Sequence, residues 1–210
     1  MVVSAEEIRA NAPNCPARWN QAGLEAIYPR FWAIGEVGLL EQRLLGLLCS
    51  ERCPGDVVLK TYDLARALRD AGVPVIGGFH SPMEKECLDL LLRGKQPVVV
   101  CPARSIERFR IPAGWKKHVE AGRMLIISPF QRSVRRPTGP VAAERNRIVV
   151  EIAQFLVVPH ASPGGKVEKL CRGAVVKKSV FALESEANAH LTATGAKLVE
   201  PENVKLWPIG

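Results

Sequence analysis

From Phe31 onward, the chain alternates short apolar runs with longer amphipathic segments. Six of the runs are apolar on both faces, which is typical of strands in a sheet that helices cover on both sides. These predicted strands are residues 44–49, 73–76, 97–101, 124–127, 155–158 and 180–183. Helices are predicted between them over residues 57–71, 82–93, 141–154 and 166–176. The alternation predicts an α/β fold that is Rossmann-like and doubly wound, with a mostly parallel sheet and helices on both faces.

The two ends of the chain are less regular than its centre. Residues 1–30 hold three prolines and little periodicity, so we predict an irregular or short helical lead-in before one domain that spans residues 31–210. The segment 184–210 begins with polar residues and is predicted to fold back onto that domain. No apolar run is long enough to cross a membrane, and residues 1–12 lack the pattern of a secretory signal. We therefore expect a cytoplasmic protein that has no membrane partner.

The composition permits one full-sized hydrophobic core and gives the protein a basic surface. Of the 210 residues, 47% are hydrophobic, which is enough to build such a core. The 29 basic residues exceed the 21 acidic ones, and the net charge is +8. This balance favours nucleic acid, an anionic membrane or an acidic ligand as the partner.

Motifs that would identify an enzyme are absent. The chain has neither a Gly-x-x-x-x-Gly-Lys-Ser/Thr phosphate loop nor a Gly-x-Gly-x-x-Gly fingerprint after the first strand, so no cofactor is predicted. No Ser–His–Asp arrangement and no histidine–carboxylate cluster stand out, so we predict no catalytic residue and no metal site. None of the six cysteines forms a Cys-x-x-Cys pair, and Cys49 and Cys53 are the closest two. Reduced thiols explain these cysteines better than a disulfide framework.

The chemistry of the chain is concentrated in the segments that follow the predicted strands. After residues 73–76, Gly77 and Gly78 lead to Ser81, a predicted N-cap whose capping-box partner is Glu84. Bare backbone and a helix N-terminus at one point suit an anionic group. The segments after the other strands are also rich in Gly, Ser, Arg or Lys and nearly free of carboxylates. Because ligands bind beyond the carboxyl ends of parallel strands, the pattern predicts a basic edge that fits a polyanion.

Each of these features also has a purely structural explanation. The Ser81–Glu84 pair would cap a helix in any protein, and the arginines of residues 132–136 fit a solvated loop. His80 and His160 each fit a local hydrogen bond. The prediction of a binding edge therefore depends on the convergence of several segments and not on one motif.

With these residues in view, the chain resembles the DNA-processing protein (DprA/Smf) family over about residues 28–199. Arg145-Asn146-Arg147 matches the Arg-Asn-Arg signature of that family. Cys49-Ser50-Glu51-Arg52 stands where the family has Gly-Ser-Arg, and the turn at residues 77–81 stands where it has a Ser-Gly-Leu-Ala type of turn. The other similar segments are residues 28–35, 162–165 and 188–199.

The resemblance implies an extended Rossmann fold, a homodimer, binding of single-stranded DNA and loading of a RecA-type recombinase. It also implies a role in DNA recombination during natural transformation. A basic groove at the strand ends can follow a phosphate backbone without reading its sequence. We therefore predict DNA or phosphate contacts from Ser50, Arg52, Gly78, His80, Ser81, Arg104, Arg132, Arg145, Arg147, Gly165 and Lys166.

The chain departs from the family pattern at several positions. Cys49 stands in place of a glycine, and Glu51 adds a carboxylate, so the role of the family's arginine is expected at Arg52. Leu88 stands where the family has a histidine.

Two alternative functions use the same crevice. One is a sensor that binds a small nucleotide-derived ligand, which needs a closed pocket rather than an open groove. The other is an enzyme, because residues 163–168 faintly resemble the Pro-Gly-Gly-x-Gly-Thr-x-x-Glu motif of the Lonely Guy nucleotide phosphoribohydrolases, although the Gly-Thr is missing. In that alternative, Glu84 or Glu168 would act as a general acid or base beside a glycosidic bond.

Overall fold

The computed structural model describes residues 4–206, so residues 1–3 of the predicted lead-in and residues 207–210 of the predicted domain lie outside the described residues. The strands are β1 (Glu6–Arg9), β2 (Arg30–Gly35), β3 (Leu45–Leu47), β4 (Val75–Gly77), β5 (Val98–Val100), β6 (Met124–Ser128), β7 (Phe155–Val158), β8 (Val180–Leu183) and β9 (Lys197–Val199). Within residues 4–206, these nine strands form one sheet in the order β1-β2-β6-β5-β4-β3-β7-β8-β9.

The seven strands β3 to β9 all run in the same direction, and the antiparallel pairings lie at one edge of the sheet. β6, β5, β4, β3, β7, β8 and β9 pair in parallel along the sheet order, whereas β2 is antiparallel to both β6 and β1. The predicted α/β fold with a mostly parallel sheet is confirmed. All six predicted strands are present, and β7 and β8 have the predicted bounds.

The α-helices connect successive strands and cover the sheet. They are α1 (Ala17–Gln21), α2 (Gly55–Asp70), α3 (Pro82–Leu91), α4 (Ala113–Glu120), α5 (Gly139–Ile152), α6 (Lys166–Ala174) and α7 (Ala189–Thr192). The four predicted helices are confirmed as α2, α3, α5 and α6, whereas α4 was not predicted. Among residues 4–206, no helix is both long enough and apolar enough to cross a lipid bilayer.

Two hydrophobic layers lie on opposite faces of the sheet, because neighbouring side chains along each strand point to opposite sides. On β5, Val99 belongs to the layer under α5 and α6, and Val98 and Val100 belong to the layer under α2 and α3. Each strand of the centre is buried on both faces, which explains why these strands are apolar runs in the sequence.

The predicted irregular lead-in also contains a strand. β1 pairs with β2, and Ile8 is its one buried residue. The ring of Trp19 stacks on that of Phe31 with 4.1 Å between centroids, so the segment contributes to the hydrophobic core. The strand was missed because three of its four side chains are exposed and polar, which leaves no apolar run. At the other end, Val204 is buried beside α2, as the predicted fold-back requires.

Candidate nucleic-acid interface

The parallel sheet reverses its winding direction between β3 and β7. From β3 the chain moves outward through β4, β5 and β6, and it then returns to the other side of β3 for β7, β8 and β9. In such sheets, ligands bind in the crevice beyond the carboxyl ends of the strands at the reversal. A cleft of about 520 Å³ lies at this place. Its lining includes seven of the eleven predicted residues, which are Ser50, Arg52, His80, Ser81, Arg145, Gly165 and Lys166.

Ser50 ties together two loops that border the cleft. Its backbone N–H donates to the carbonyl oxygen of His160 at 3.0 Å, and its hydroxyl accepts from the backbone N–H of Ser162 at 2.9 Å. The loop after β3 is thereby fixed to the loop after β7 across the reversal. A hydroxyl that accepts one hydrogen bond can still donate its own hydrogen, so Ser50 can also bind a ligand oxygen.

The buried carboxylate of Glu84 fastens the turn after β4 to the end of β3. Its Oε1 accepts from the backbone N–H of Cys49 at 3.0 Å. Its Oε2 accepts from the backbone N–H groups of His80 at 2.8 Å and Ser81 at 3.2 Å. The Ser81 hydroxyl accepts in turn from the Glu84 N–H, so the predicted capping box is confirmed. All of these bonds hold the loop geometry, and the carboxylate is 3% exposed.

Arg145 lies at the bottom of the cleft with its guanidinium group against Gly78. The residue is buried, and its Nη1 donates to the carbonyl oxygen of Cys101 at 3.2 Å. A Cβ atom on Gly78 would lie 1.3 Å from that Nη1, so only glycine leaves room for the guanidinium. Gly78 therefore leaves the space that the Arg145 guanidinium occupies at the bottom of the cleft. Within residues 4–206, Nε of Arg145 is buried without a hydrogen-bond partner.

Two helix N-termini and a lysine form another wall of the cleft. α5 begins after Thr138, whose hydroxyl accepts from the Val141 N–H at 3.5 Å, and α6 begins after Gly165. A Cβ atom on Gly139 would lie 3.3 Å from Nζ of Lys166, so the lysine ammonium group lies beside the start of α5. Helix N-termini carry partial positive charge and free N–H groups. This wall therefore attracts an anionic group such as phosphate.

Three other predicted residues lie outside the cleft. The guanidinium of Arg104 lies over the ring of Phe109, 5.3 Å from its centroid. Arg132 is exposed on the loop after β6, and Arg147 is exposed on α5. Arg145 and Arg147 are two residues apart, so they point to nearly opposite sides of the helix, and only Arg145 lines the cleft.

The sequence prediction did not include Thr138 or Asn146 among the binding residues. Thr138 followed by Gly139 and Pro140 has the pattern of a helix start, with a capping side chain and an early proline, and this signal was available. Asn146 borders the cleft, and its Oδ1 is buried without a hydrogen-bond partner among the described residues. A buried acceptor without a partner costs about 1–3 kcal/mol, so Asn146 is suited to accept a bond from a ligand.

The carboxylates that the enzyme alternative requires are both engaged. Glu168 accepts from the backbone N–H of Gly164 and from Nη2 of Arg172, the latter at 2.6 Å. These contacts, the backbone bond foremost, hold the pKa of the Glu168 carboxyl below its ordinary value. A carboxyl with a lowered pKa is a poor general acid near neutral pH. The Glu84 carboxylate accepts from three backbone N–H groups, so both carboxylates hold parts of the protein's own backbone in place.

The fold and the cleft define the chain as a doubly wound, Rossmann-like protein with a basic site at the reversal of its sheet. The sequence model described as DNA recombination-mediator protein A matches residues 8–206, and the chain belongs to that family. The predicted resemblance to the DNA-processing protein (DprA/Smf) family is thereby confirmed. No curated protein sequence matches the chain.

Several solved structures share the fold. DNA processing protein A from Streptococcus pneumoniae is 16% identical, with a TM-score of 0.77 over 96% of this chain and 73% of that chain. DNA processing protein A from Helicobacter pylori, whose structure describes a single-stranded DNA binding mode, is 20% identical, with a TM-score of 0.72 over 96% and 94%. The molybdenum cofactor binding protein from Rippkaea orientalis is 13% identical, with a TM-score of 0.54 over 79% and 94%.

Proposed function

We propose that the cleft binds single-stranded DNA through its phosphate backbone. The observation that carries this proposal is the convergence of Arg52, Lys166 and the N-termini of α5 and α6 at the reversal of the sheet. Among residues 4–206, the carboxylates that line the cleft are those of the bonded Glu84 and the exposed Glu51. Membership in a family of DNA recombination mediators supports the proposal, as does the single-stranded DNA binding mode described for the Helicobacter pylori relative.

A second basic surface continues from the cleft along the same edge of the sheet. We call it the arginine surface, and it consists of Arg108, Arg110, Arg132, Arg135 and Arg136, all of which are exposed. None of the five forms an ion pair with a carboxylate among residues 4–206. The Ser105 N–H donates to the Val134 carbonyl oxygen at 2.8 Å, which joins the two loops that carry these arginines.

The arginine surface is connected directly to the cleft wall. Residues 129–138 run from the end of β6 to the start of α5, where Thr138 lines the cleft. A polymer can contact the cleft and the arginine surface at once, whereas a single nucleotide reaches only the cleft. Unpaired cations along a continuous path are what a sequence-independent contact with a phosphate backbone requires.

The family extends the proposal beyond DNA binding itself. We infer that the protein acts without a cofactor as a cytoplasmic homodimer, and that it loads a RecA-type recombinase onto the bound strand during recombination, including natural transformation. Family membership alone supports these parts of the proposal.

A small nucleotide-derived ligand is the second candidate occupant of the cleft. The volume of about 520 Å³ favours it, because it falls within the range of about 300–1,000 Å³ that is usual for small-molecule sites. This ligand would use the phosphate-binding wall of the cleft and would leave the arginine surface unused.

Replacing the cations of the cleft is expected to weaken binding of single-stranded DNA. Lys166→Ala and Arg52→Ala should each raise the Kd about three- to tenfold at low salt, because each removes one charged contact with a phosphate. The slope of log Kd against log salt should fall by about 0.7 for each variant. Fluorescence anisotropy with a labelled oligonucleotide measures both quantities, with duplex DNA as the competitor.

Lys169→Ala is the matched control, since Lys169 is an exposed lysine one turn further along α6 that does not line the cleft. Equal affinities of the wild type, Lys166→Ala and Arg52→Ala would contradict the cleft as the DNA site. If single strands do not bind at low salt, whereas a mononucleotide binds with little dependence on salt, the small-ligand alternative is supported.

The arginine surface is expected to matter only for long strands. The double variant Arg132→Ala/Arg135→Ala should weaken binding of a strand of about twenty nucleotides roughly threefold to tenfold and leave a strand of about six nucleotides unaffected. The reason is that a short strand is held in the cleft and does not reach residues 132–136. Anisotropy titrations of the variant with both oligonucleotides measure this effect. Equal weakening of DNA binding for both lengths would contradict the prediction that only the long strand reaches the arginine surface.

A further inference from the structure

Aromatic side chains lie next to the arginine surface. Phe109 stands between Arg108 and Arg110 in the loop after β5, and Trp115 lies in the first turn of α4. The centroids of the Phe109 and Trp115 rings are 6.4 Å apart, and the two ring planes differ by 31°. The guanidinium of Arg104 lies over the Phe109 ring, 5.3 Å from its centroid. We call Arg104, Phe109 and Trp115 the aromatic cluster.

The aromatic cluster is accessible from solvent. Phe109 and Trp115 pack against the hydrophobic layer under α2 and α3, yet neither residue is fully buried. Because the Arg104 guanidinium already covers one face of Phe109, Trp115 is the ring that a ligand can reach. An aromatic ring offers a flat apolar face on which another planar group can stack.

The segment that carries the aromatic cluster is strongly basic. Residues 101–117 contain one acidic residue, Glu107, and five basic residues. Along the part of the chain that the structure describes, none of the five forms an ion pair with a carboxylate. The five are Arg104, Arg108, Arg110, Lys116 and Lys117. A ligand that suits this segment combines negative charge with flat apolar groups, and unpaired nucleic acid has both properties.

We propose that the aromatic cluster is a base-stacking site, where an unpaired base of single-stranded DNA stacks on Trp115 while neighbouring phosphates contact Arg108 and Arg110. This inference rests on the proposed function. The bases of a duplex are paired and stacked on one another, whereas its phosphates are as accessible to arginine as those of a single strand. The aromatic cluster is therefore the feature that makes the protein prefer single strands to duplex DNA.

Replacement of Trp115 tests the stacking site. Trp115→Leu removes the flat ring and keeps an apolar side chain at the same place on α4. For a strand of about twenty nucleotides we expect the Kd to rise about five- to twentyfold, and the preference over duplex DNA to fall by the same factor. Trp115→Phe should retain most of the affinity. Tyr62→Leu is the matched control without effect, since Tyr62 is a partly exposed aromatic residue on α2, outside the loops of the arginine surface.

A strand of the same length that consists of abasic sugar phosphates separates stacking from charge. It keeps the phosphates and lacks the bases, so the wild type and Trp115→Leu should bind it equally. Tryptophan fluorescence of the wild type gives a second measurement, because a stacked base quenches Trp115, whereas Trp19 and Trp32 are buried. We expect the normal strand to quench the wild type more than Trp115→Phe, and the abasic strand to quench both equally.

The possible outcomes distinguish the stacking site from the proposed function. If the wild type and Trp115→Leu bind the normal strand equally, the stacking site is refuted and DNA binding by the protein stands. If Trp115→Leu binds the normal and abasic strands more weakly by the same factor, Trp115 only supports the neighbouring cations, which also refutes stacking. Absence of quenching that depends on both the bases and Trp115 refutes it without any destabilising variant. If the wild type binds neither strand at low salt, the proposed function fails and the stacking site fails with it.

Discussion

Glu84→Ala is expected to lower the free energy of unfolding by about 3–5 kcal/mol, because it leaves three backbone N–H groups without their acceptor. Two of these, from Cys49 and Ser81, belong to buried residues, and a buried donor that loses its partner costs about 1–3 kcal/mol. The third, from His80, belongs to an exposed residue and can turn to water. The Ser81 hydroxyl can still accept from the backbone N–H of residue 84, so the N-cap of the helix remains in this variant.

Urea unfolding measures the effect of Glu84→Ala, and two further variants define its cause. Glu84→Gln keeps one acceptor oxygen, but its amide N–H₂ would face a backbone N–H donor. We therefore expect this variant to lose about half as much stability as Glu84→Ala. Glu86→Ala, an exposed glutamate on the same helix, should change the stability by less than about 0.5 kcal/mol. Equal stabilities of Glu84→Ala and Glu86→Ala would contradict the role of Glu84 as the link between β3 and β4.

Gly78→Ala is expected to destabilise the protein by about 2–4 kcal/mol through its effect on Arg145. The new methyl group would occupy the position of the guanidinium, which must leave its hydrogen bond with the Cys101 carbonyl oxygen. The backbone of Gly78 does not have a positive φ angle, so the cost is steric and does not come from the glycine conformation. The displaced cation would project into the cleft and change how a ligand binds there.

A double-mutant cycle isolates this contact. In the Arg145→Ala background, Gly78→Ala should cost less than about 1 kcal/mol, which gives a coupling energy of about 1–3 kcal/mol between the two positions. Gly173→Ala is the matched control, because a Cβ atom at Gly173 meets nothing within 4 Å and alanine favours the helix there. Strictly additive effects of Gly78→Ala and Arg145→Ala would contradict the close contact.

The sequence predicted the centre of the sheet better than its margins for a physical reason. Central parallel strands such as β7 are buried on both faces and therefore appear as apolar runs, which periodicity detects. The edge strand β1 exposes three of its four side chains, and the edge strand β9 has no fully buried residue. Their positions depend on pairing with strands already in the sheet, and a local pattern does not contain that information.

The location of the candidate site could be predicted from the sequence, whereas the side-chain contacts that form it could not. Topology alone brings the loops after β3, β4 and β7 to one crevice, so Ser50, His80 and Lys166 were placed correctly at its lining. The burial of Arg145 depends on the space that Gly78 leaves in the turn after β4, and no spacing along the chain shows that contact. The same limit hid Asn146, whose exposure to the cleft follows from the exact rotation of α5.

The reversal of the sheet at β3 also governs the order in which the chain can fold. Trp32 in β2 pairs with Ser128 in β6, and Leu45 in β3 pairs with Phe155 in β7, so β2 and β3 each have a partner strand that is synthesised much later. Contacts between such distant segments form slowly, because a long loop must close before they stabilise the chain. A ribosome-bound chain that ends before β7 has β3 as an open, wholly apolar strand edge. Pairing of β7 with β3 thus completes the cleft and covers an exposed apolar strand edge of the nascent protein in the same step.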